Sequence, residues 1–126
     1  MTTPWDQLNQ EAFQRWLIPA AVAAFFGWRF LKFRAVKARL PELLGRGAVV
    51  VDVRGPVEFA ASARPGSLNI PLGELERRIS ELDASKPVIV CCASGTRSAV
   101  AASLLARRGF KEVVNAGPWT NTVNNP

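Results

Sequence analysis

Two short, unbroken β-branched runs, Ala48 to Val53 (AVVVDV) and Pro87 to Cys91 (PVIVC), constrain this chain more than any other feature. They lack the polar alternation of a sheet with one wet face, so each reads as a strand covered on both sides. Covered strands need helices above and below, and the sequence supplies candidates. Pro56 to Ala61 opens with a proline suited to a first helical turn. Leu72, Leu75, Ile79 and Leu82 form one apolar stripe at helical spacing, with Glu74, Glu76, Arg77, Arg78 and Glu81 behind it. Ser98 to Arg108 is rich in Ala and Leu and stops at Gly109, a good C-cap. Gly66 to Ile70 and Val113-Val114 read as short strands. The alternation predicts an α/β domain with a mostly parallel central sheet flanked by helices.

The amino-terminal third follows a different pattern. Thr3-Pro4-Trp5-Asp6 is a helix start, with Thr3 as N-cap and Pro4 at the first helical position. Trp16 to Trp28 (WLIPAAVAAFFGW) holds no charge, and Phe30, Leu31 and Phe33 carry the apolar character past Arg29. From Trp16 to Phe33 a helix would be about 27 Å long, close to the ~30 Å hydrocarbon core of a bilayer. Trp16 and Trp28 lie near its ends, where amphipathic rings favour the headgroup level. Five basic residues follow closely: Arg29, Lys32, Arg34, Lys37 and Arg39. The expectation is a hydrophobic, transmembrane or interfacial helix over 16–33, kinked or started at Pro19. By the positive-inside tendency the rest of the chain lies in the cytoplasm, beneath the cytoplasmic membrane. A buried helix of a soluble core is the competing reading. A signal peptide has the wrong polarity, because the basic residues follow the apolar run.

Composition removes several chemistries. The chain has no His, so a Ser-His-Asp triad, a Cys-His pair and a His-ligated zinc are excluded, and no metal is expected. Its 16 Lys and Arg against 10 Asp and Glu give a net charge of +6. Much of that surplus sits beside the apolar run, which does not fit a uniformly basic nucleic-acid binder. The two cysteines, Cys91 and Cys92, are adjacent and supply no disulfide framework.

Those cysteines end the second buried strand, and Ala93-Ser94-Gly95-Thr96-Arg97-Ser98 leads from them into a helix. In parallel sheets, ligands bind beyond the carboxyl ends of the strands. Backbone N–H groups and the positive end of the helix dipole converge on that point, and Arg97 adds a charge. A thiol there should have a lowered pKa without help from histidine. Neighbouring strand residues point to opposite faces, which makes Cys91 a core residue. Cys92, at the exit of the strand, is the expected nucleophile in an electropositive and partly exposed place.

Asp52-Val53-Arg54, Glu58-Phe59, Pro65-Gly66-Ser67-Leu68-Asn69-Ile70-Pro71, Cys92 to Ser98, Gly109-Phe110 and Asn115-Ala116-Gly117-Pro118-Trp119 together resemble the rhodanese domain. The resemblance runs from about Glu42 to Trp119, in the family's order and spacing, and extends to single-domain members with an amino-terminal membrane helix. It implies sulfur transfer through a persulfide on Cys92, with the outer sulfur held by the amides of Ala93 to Arg97. Cys92 and Arg97 would then be catalytic, with Ala93, Ser94, Gly95, Thr96 and Ser98 forming the persulfide-binding loop. Asp52 and Arg54 are assigned to bracing the loop and neighbouring strands. A donor such as thiosulfate or a persulfide, and a thiol or cyanide acceptor, are the implied partners, with no cofactor. Ser62-Ala63-Arg64 stands where the family usually reads Gly-His-Ile, and Ala116-Gly117-Pro118 departs from its Gly-Gly. Both departures bear on substrate preference.

The domain plan that follows is an anchor over 1–33, a basic juxtamembrane linker over 34–41, a rhodanese-like domain over 42–120 and a polar tail over 121–126. Two loop registers remain open. Counted from Cys92 the loop is Cys-x4-Arg, which suits sulfur; counted from Cys91 it is Cys-x5-Arg, the spacing of related phosphatases and arsenate reductases. An alkoxide leaving group wants a general acid, and none flanks the loop, so the chemistry agrees with Cys92. The alternatives are a Cys91-based phosphatase or arsenate reductase, and a non-catalytic, membrane-tethered adaptor. A redox switch between the adjacent thiols would need a strained ring.

Overall fold

The computed structural model describes residues 3–123. The chain divides into two compact units between Lys32 and Phe33.

Within the first unit the chain is helical from Pro4 onward. This is the beginning of α1 (Pro4–Gly45). Thr3 caps it as its sequence predicts: the Asp6 N–H donates to Thr3 Oγ1 at 3.3 Å, and the Thr3 N–H donates back to Asp6 Oδ2 at 2.9 Å. Pro19 lies inside the helix and does not end it. Trp16, Ile18, Phe26 and Trp28 are exposed. At the basic end Lys32 Nζ lies 5.0 Å from the centre of the Trp28 ring, and the Arg29 guanidinium lies 5.7 Å from that of Phe25.

The second unit is an α/β sandwich. Residues 34–41, expected as a linker, continue α1, because Leu40 and Leu43 bury themselves against the sheet. Then follow β1 (Val49–Asp52), α2 (Pro56–Ala61), β2 (Leu68–Asn69) and α3 (Leu72–Leu75). A 3-10 turn at Ile79–Glu81, β3 (Val88–Cys92), α4 (Thr96–Arg107), β4 (Val113–Pro118) and a second 3-10 turn at Trp119–Thr122 complete it. The strands are all parallel, in the order β2-β1-β3-β4. Every strand therefore releases its carboxyl end on the same edge.

The pleat divides β3 between two cores. Val88, Val90 and Cys92 face α3 and α4, packing with Leu75, Ala101 and Leu105. Ile89 and Cys91 face the other way, with Leu40, Leu43, Val50, Val114 and Ala116. Burying one such aliphatic side chain contributes roughly 1.5–3 kcal/mol, so both faces of this strand anchor the fold.

Two further expectations need correction. The Leu72 to Leu82 stripe is not one helix but two short pieces, α3 and the turn at Ile79–Glu81. Gly73 weakens the first turn, and the Leu72 N–H is drawn to Val53 O at 3.1 Å, so only Leu75 of this stripe is fully buried. The polar tail expected over 121–126 is packed onto the domain at Asn121 and Thr122. Thr122 is buried and donates from Oγ1 to Trp119 O at 2.6 Å, and Asn121 donates from Nδ2 to Ala116 O at 2.9 Å. The remaining tail residues 124–126 lie outside the described residues.

Candidate active site

Cys92 is the last residue of β3, the strand flanked by β1 and β4. The chain turns sharply after it and enters α4 at Thr96. That turn needs Gly95, whose φ of 101° lies in the left-handed region that residues with a Cβ rarely adopt. The turn points amides inward. The Gly95 N–H donates to Cys92 Sγ at 2.9 Å and the Ser98 N–H at 3.5 Å, while Ser98 Oγ lies 3.3 Å from the same sulfur.

Burial pushes the Cys92 thiol up, but the Ser98 hydroxyl and the N–H groups of Ser98, Gly95 and Ser94 outweigh it, leaving the thiol below its ordinary range. Cys91 has no such help. Burial, then the nearby Asp52 carboxylate, push its thiol up to about 12. Adjacent in sequence, the two sulfurs sit in opposite cores.

The expectation of a partly exposed nucleophile is corrected: Cys92 is 0% exposed. The loop closes over the sulfur, and its rim is the exposed Ala93, Ser94 and Thr96, with Ser94 Oγ and Thr96 Oγ1 3.4 Å apart. Arg97 lies on the first turn of α4 with its guanidinium turned to α2. Its Nη1 donates to Glu58 Oε1 at 2.8 Å and its Nη2 to Oε2 at 3.0 Å. This bidentate pair holds the Glu58 carboxyl down to about 2.

Asp52 and Arg54 form a second, buried pair at the end of β1. Arg54 Nε donates to Asp52 Oδ1 at 3.0 Å and Nη2 to Oδ2 at 2.8 Å. Arg54 Nη2 also reaches Ser62 O at 2.7 Å, and its guanidinium carbon stands 4.9 Å from the centre of the Trp119 ring. Asn69 ties β2 to this corner, donating from Nδ2 to Asp52 O at 3.1 Å and Arg54 O at 2.9 Å. The pair thus joins β1, the end of α2 and the segment after β4.

Asn115 has no assigned role in the sequence reading, yet the loop rests on it. Its Nδ2 donates to Gly95 O at 3.3 Å, and its Oδ1 accepts from Ser98 Oγ at 2.7 Å and the Gly117 N–H at 2.9 Å. A bulge between the Val90↔Asn115 and Cys91↔Gly117 pairs offsets β4 here. Gly117 has φ 75°, and a Cβ on it would meet the Phe33 ring at 2.7 Å. Asn115 was visible only as part of the Asn-Ala-Gly-Pro-Trp motif. Among the described residues, no group of three or more His, Cys, Asp or Glu is placed to share a metal ion.

A parallel α/β sheet with a buried thiol ringed by backbone N–H groups at the exit of its strand β3 is the class of domain that fold and site define. Residues 36–117 match the rhodanese-like domain, and the chain belongs to that family. It is 40% identical over 75 residues to the putative sulfur carrier protein YrkF of Bacillus subtilis (strain 168), covering 56% of this chain and 40% of the relative. To the thiosulfate sulfurtransferase GlpE of Ectopseudomonas mendocina (strain ymp) it is 43% identical over 72 residues, covering 57% of this chain and 66% of the relative. The chain therefore spans less than two thirds of either relative's length. Among solved structures it is similar to a rhodanese with anions from E. coli, at TM-score 0.58 and 31% identity, covering 62% of this chain and 94% of that one. The human single-domain sulfurtransferase TSTD1 gives TM-score 0.59 and 29% identity, covering 67% and 88%.

Proposed function

We propose that this chain is a sulfurtransferase that carries sulfane sulfur as a persulfide on Cys92. The observation that carries the reading is the set of polar groups around one sulfur: the Gly95 and Ser98 N–H groups donate to Cys92 Sγ, and the Ser98 hydroxyl oxygen lies 3.3 Å from it. They favour an anion on that sulfur with no base present, and the same amides suit the terminal sulfur of a persulfide.

The steps balance without a cofactor. The Cys92 thiolate attacks the outer sulfur of thiosulfate; the new S–S bond forms as the old one breaks, and sulfite leaves with the electron pair. With a persulfide donor a thiolate leaves in its place. An acceptor thiolate or cyanide then attacks the terminal sulfur, and Cys92 leaves as thiolate again. Both leaving groups depart as anions, so no general acid is needed. Arg97, with the loop amides, is the residue we assign to the charge of donor and persulfide.

The Cys91 register draws no support from the geometry. That thiol is packed among Leu40, Leu43, Val50 and Ile89 with its pKa pushed up to about 12, which suits neither a nucleophile nor a redox partner for Cys92. Sulfur transfer from thiosulfate to cyanide by the full-length chain tests the proposal; loss of activity in Cys92→Ser with retention in Cys91→Ser is the expected outcome.

Residues 16–33 anchor the domain to the cytoplasmic face of a membrane in this reading. In support, α1 holds an 18-residue stretch of mean hydropathy 1.2, none of it buried, followed by Arg34, Lys37 and Arg39.

A further inference from the structure

The Ser98 hydroxyl has one proton and two claimants. Asn115 Oδ1 lies 2.7 Å from Ser98 Oγ, and Cys92 Sγ lies 3.3 Å from it. The orientation of the Asn115 amide is fixed by its other partners. The Gly117 N–H can only donate and the Gly95 carbonyl can only accept, so Oδ1 faces Gly117 and Nδ2 faces Gly95. Oδ1 can only accept from Ser98, which draws the hydroxyl proton away from the sulfur. While Cys92 is a thiol, the chain of donors runs from S–H to Ser98 Oγ and from O–H to Asn115 Oδ1. Once Cys92 is a thiolate it has no proton to give, and the hydroxyl serves it only by turning away from Asn115.

We infer that Asn115 is a positioning residue that sets the state of the nucleophile, acting through the Ser98 hydroxyl. In the resting thiol it keeps the Ser98 proton on itself; ionisation of Cys92 pulls that proton round to the sulfur and leaves Oδ1 with the Gly117 N–H alone. The thiolate is therefore less stabilised than its donors would allow. When the sulfur anion is consumed, the hydroxyl returns to Asn115. Ser98 is 0% exposed, so water does not replace either partner.

Charged groups also stand around the sulfur. Arg97 is paired with Glu58 and Arg54 with Asp52, while Cys91 behind the strand is kept neutral by burial. Arg97 still interacts with the Cys92 charge and Arg64 with Cys91, and Asn115→Ala replaces neither cation. β4 brings no ionisable side chain at all. The inference deepens the proposed function by assigning a residue to the same site, but its test reads the thiol itself and needs no sulfur transfer.

The experiment is the pH dependence of Cys92 alkylation by iodoacetamide in the full-length chain, in a Cys91→Ala background that leaves one thiol. Asn115→Ala frees the hydroxyl for the sulfur, and the midpoint of alkylation moves to lower pH, with about threefold more thiolate at neutral pH. In a Ser98→Ala background the same substitution does not lower the midpoint. Asn115→Asp keeps the shape and holds the hydroxyl proton harder, so it raises the midpoint, and by more when Ser98 is present than when it is absent. A midpoint that rises or stays put in Asn115→Ala would overturn the inference, since that is what a merely slackened loop produces. Equal shifts with and without Ser98 for either substitution would also overturn it. Failure of thiosulfate to load Cys92, with these midpoints as expected, would count against the sulfurtransferase reading and leave the proton exchange standing.

Discussion

Glu58 and Arg97 stand on different helices and meet face to face, Nη1 at 2.8 Å from Oε1 and Nη2 at 3.0 Å from Oε2. The cation expected to serve the nucleophile loop is thus shared with a carboxylate from α2. Because Arg97 holds that carboxyl down to about 2, the pair is intact throughout the neutral range. Replacing Glu58 by Gln should free Arg97 for the sulfonate of thiosulfate and lower its KM by up to about fivefold, the scale of an exposed ion pair. Steady-state kinetics with thiosulfate checks this, and an unchanged or raised KM would mean that Arg97 does not meet the donor.

The Asp52–Arg54 pair is of the opposite kind, with side chains 1% and 6% exposed. Removing one partner leaves a buried charge without compensation. Arg54→Met is expected to cost about 3 kcal/mol of stability, and the double change with Asp52→Asn less than the sum of the single ones. Urea denaturation of the three variants measures it. Near-zero cost for Arg54→Met would remove the bracing role.

The two thiols should mark the pH dependence of stability with opposite signs. The Cys92 thiol is lowered on folding, so its contribution is present above the unfolded thiol value and is lost as pH falls through the folded one. Cys91 is raised to about 12, so its contribution is present below the unfolded value and is lost as pH climbs towards 12. Denaturation midpoints at rising alkaline pH should therefore fall less steeply in Cys91→Ala than in the native chain. Parallel curves would contradict the burial of that sulfur.

For the first unit the expected outcome is retention in carbonate-washed membranes by the full-length chain and release when residues 1–33 are deleted. Exposed Trp16, Ile18, Phe26 and Trp28 supply the apolar surface for it. Loss of the full-length chain to the carbonate wash would refute the anchor.

Much of this was legible in the residues, for stated physical reasons. The Val-rich runs gave β1 and β3 because a strand buried on both faces has no room for polar alternation. Thr3 capped its helix, and the loop after Cys92 folded around the sulfur. The division of Cys91 and Cys92 between two cores followed from the period of the pleat. Other features depended on contacts that no local pattern carries. Val113-Val114 alone reads as a strand, yet pairing with β3 extends β4 through Pro118. Glu58 lies 39 residues from its partner Arg97, and Asn115 lies 17 from Ser98 and 20 from Gly95. Nothing in the spacing of such residues says that they will meet. The α1 helix ran past its expected end because Leu40 and Leu43 found the sheet, a tertiary contact that overrides local charge.

The most direct test of the account is the intact mass of the full-length chain after incubation with thiosulfate, beside Cys91→Ser and Cys92→Ser. Gain of one reductant-labile sulfur by the native chain and by Cys91→Ser, with none on Cys92→Ser, is the predicted result. Sulfur retained on Cys92→Ser, or absent from all three chains with both thiosulfate and a persulfide donor, would contradict it.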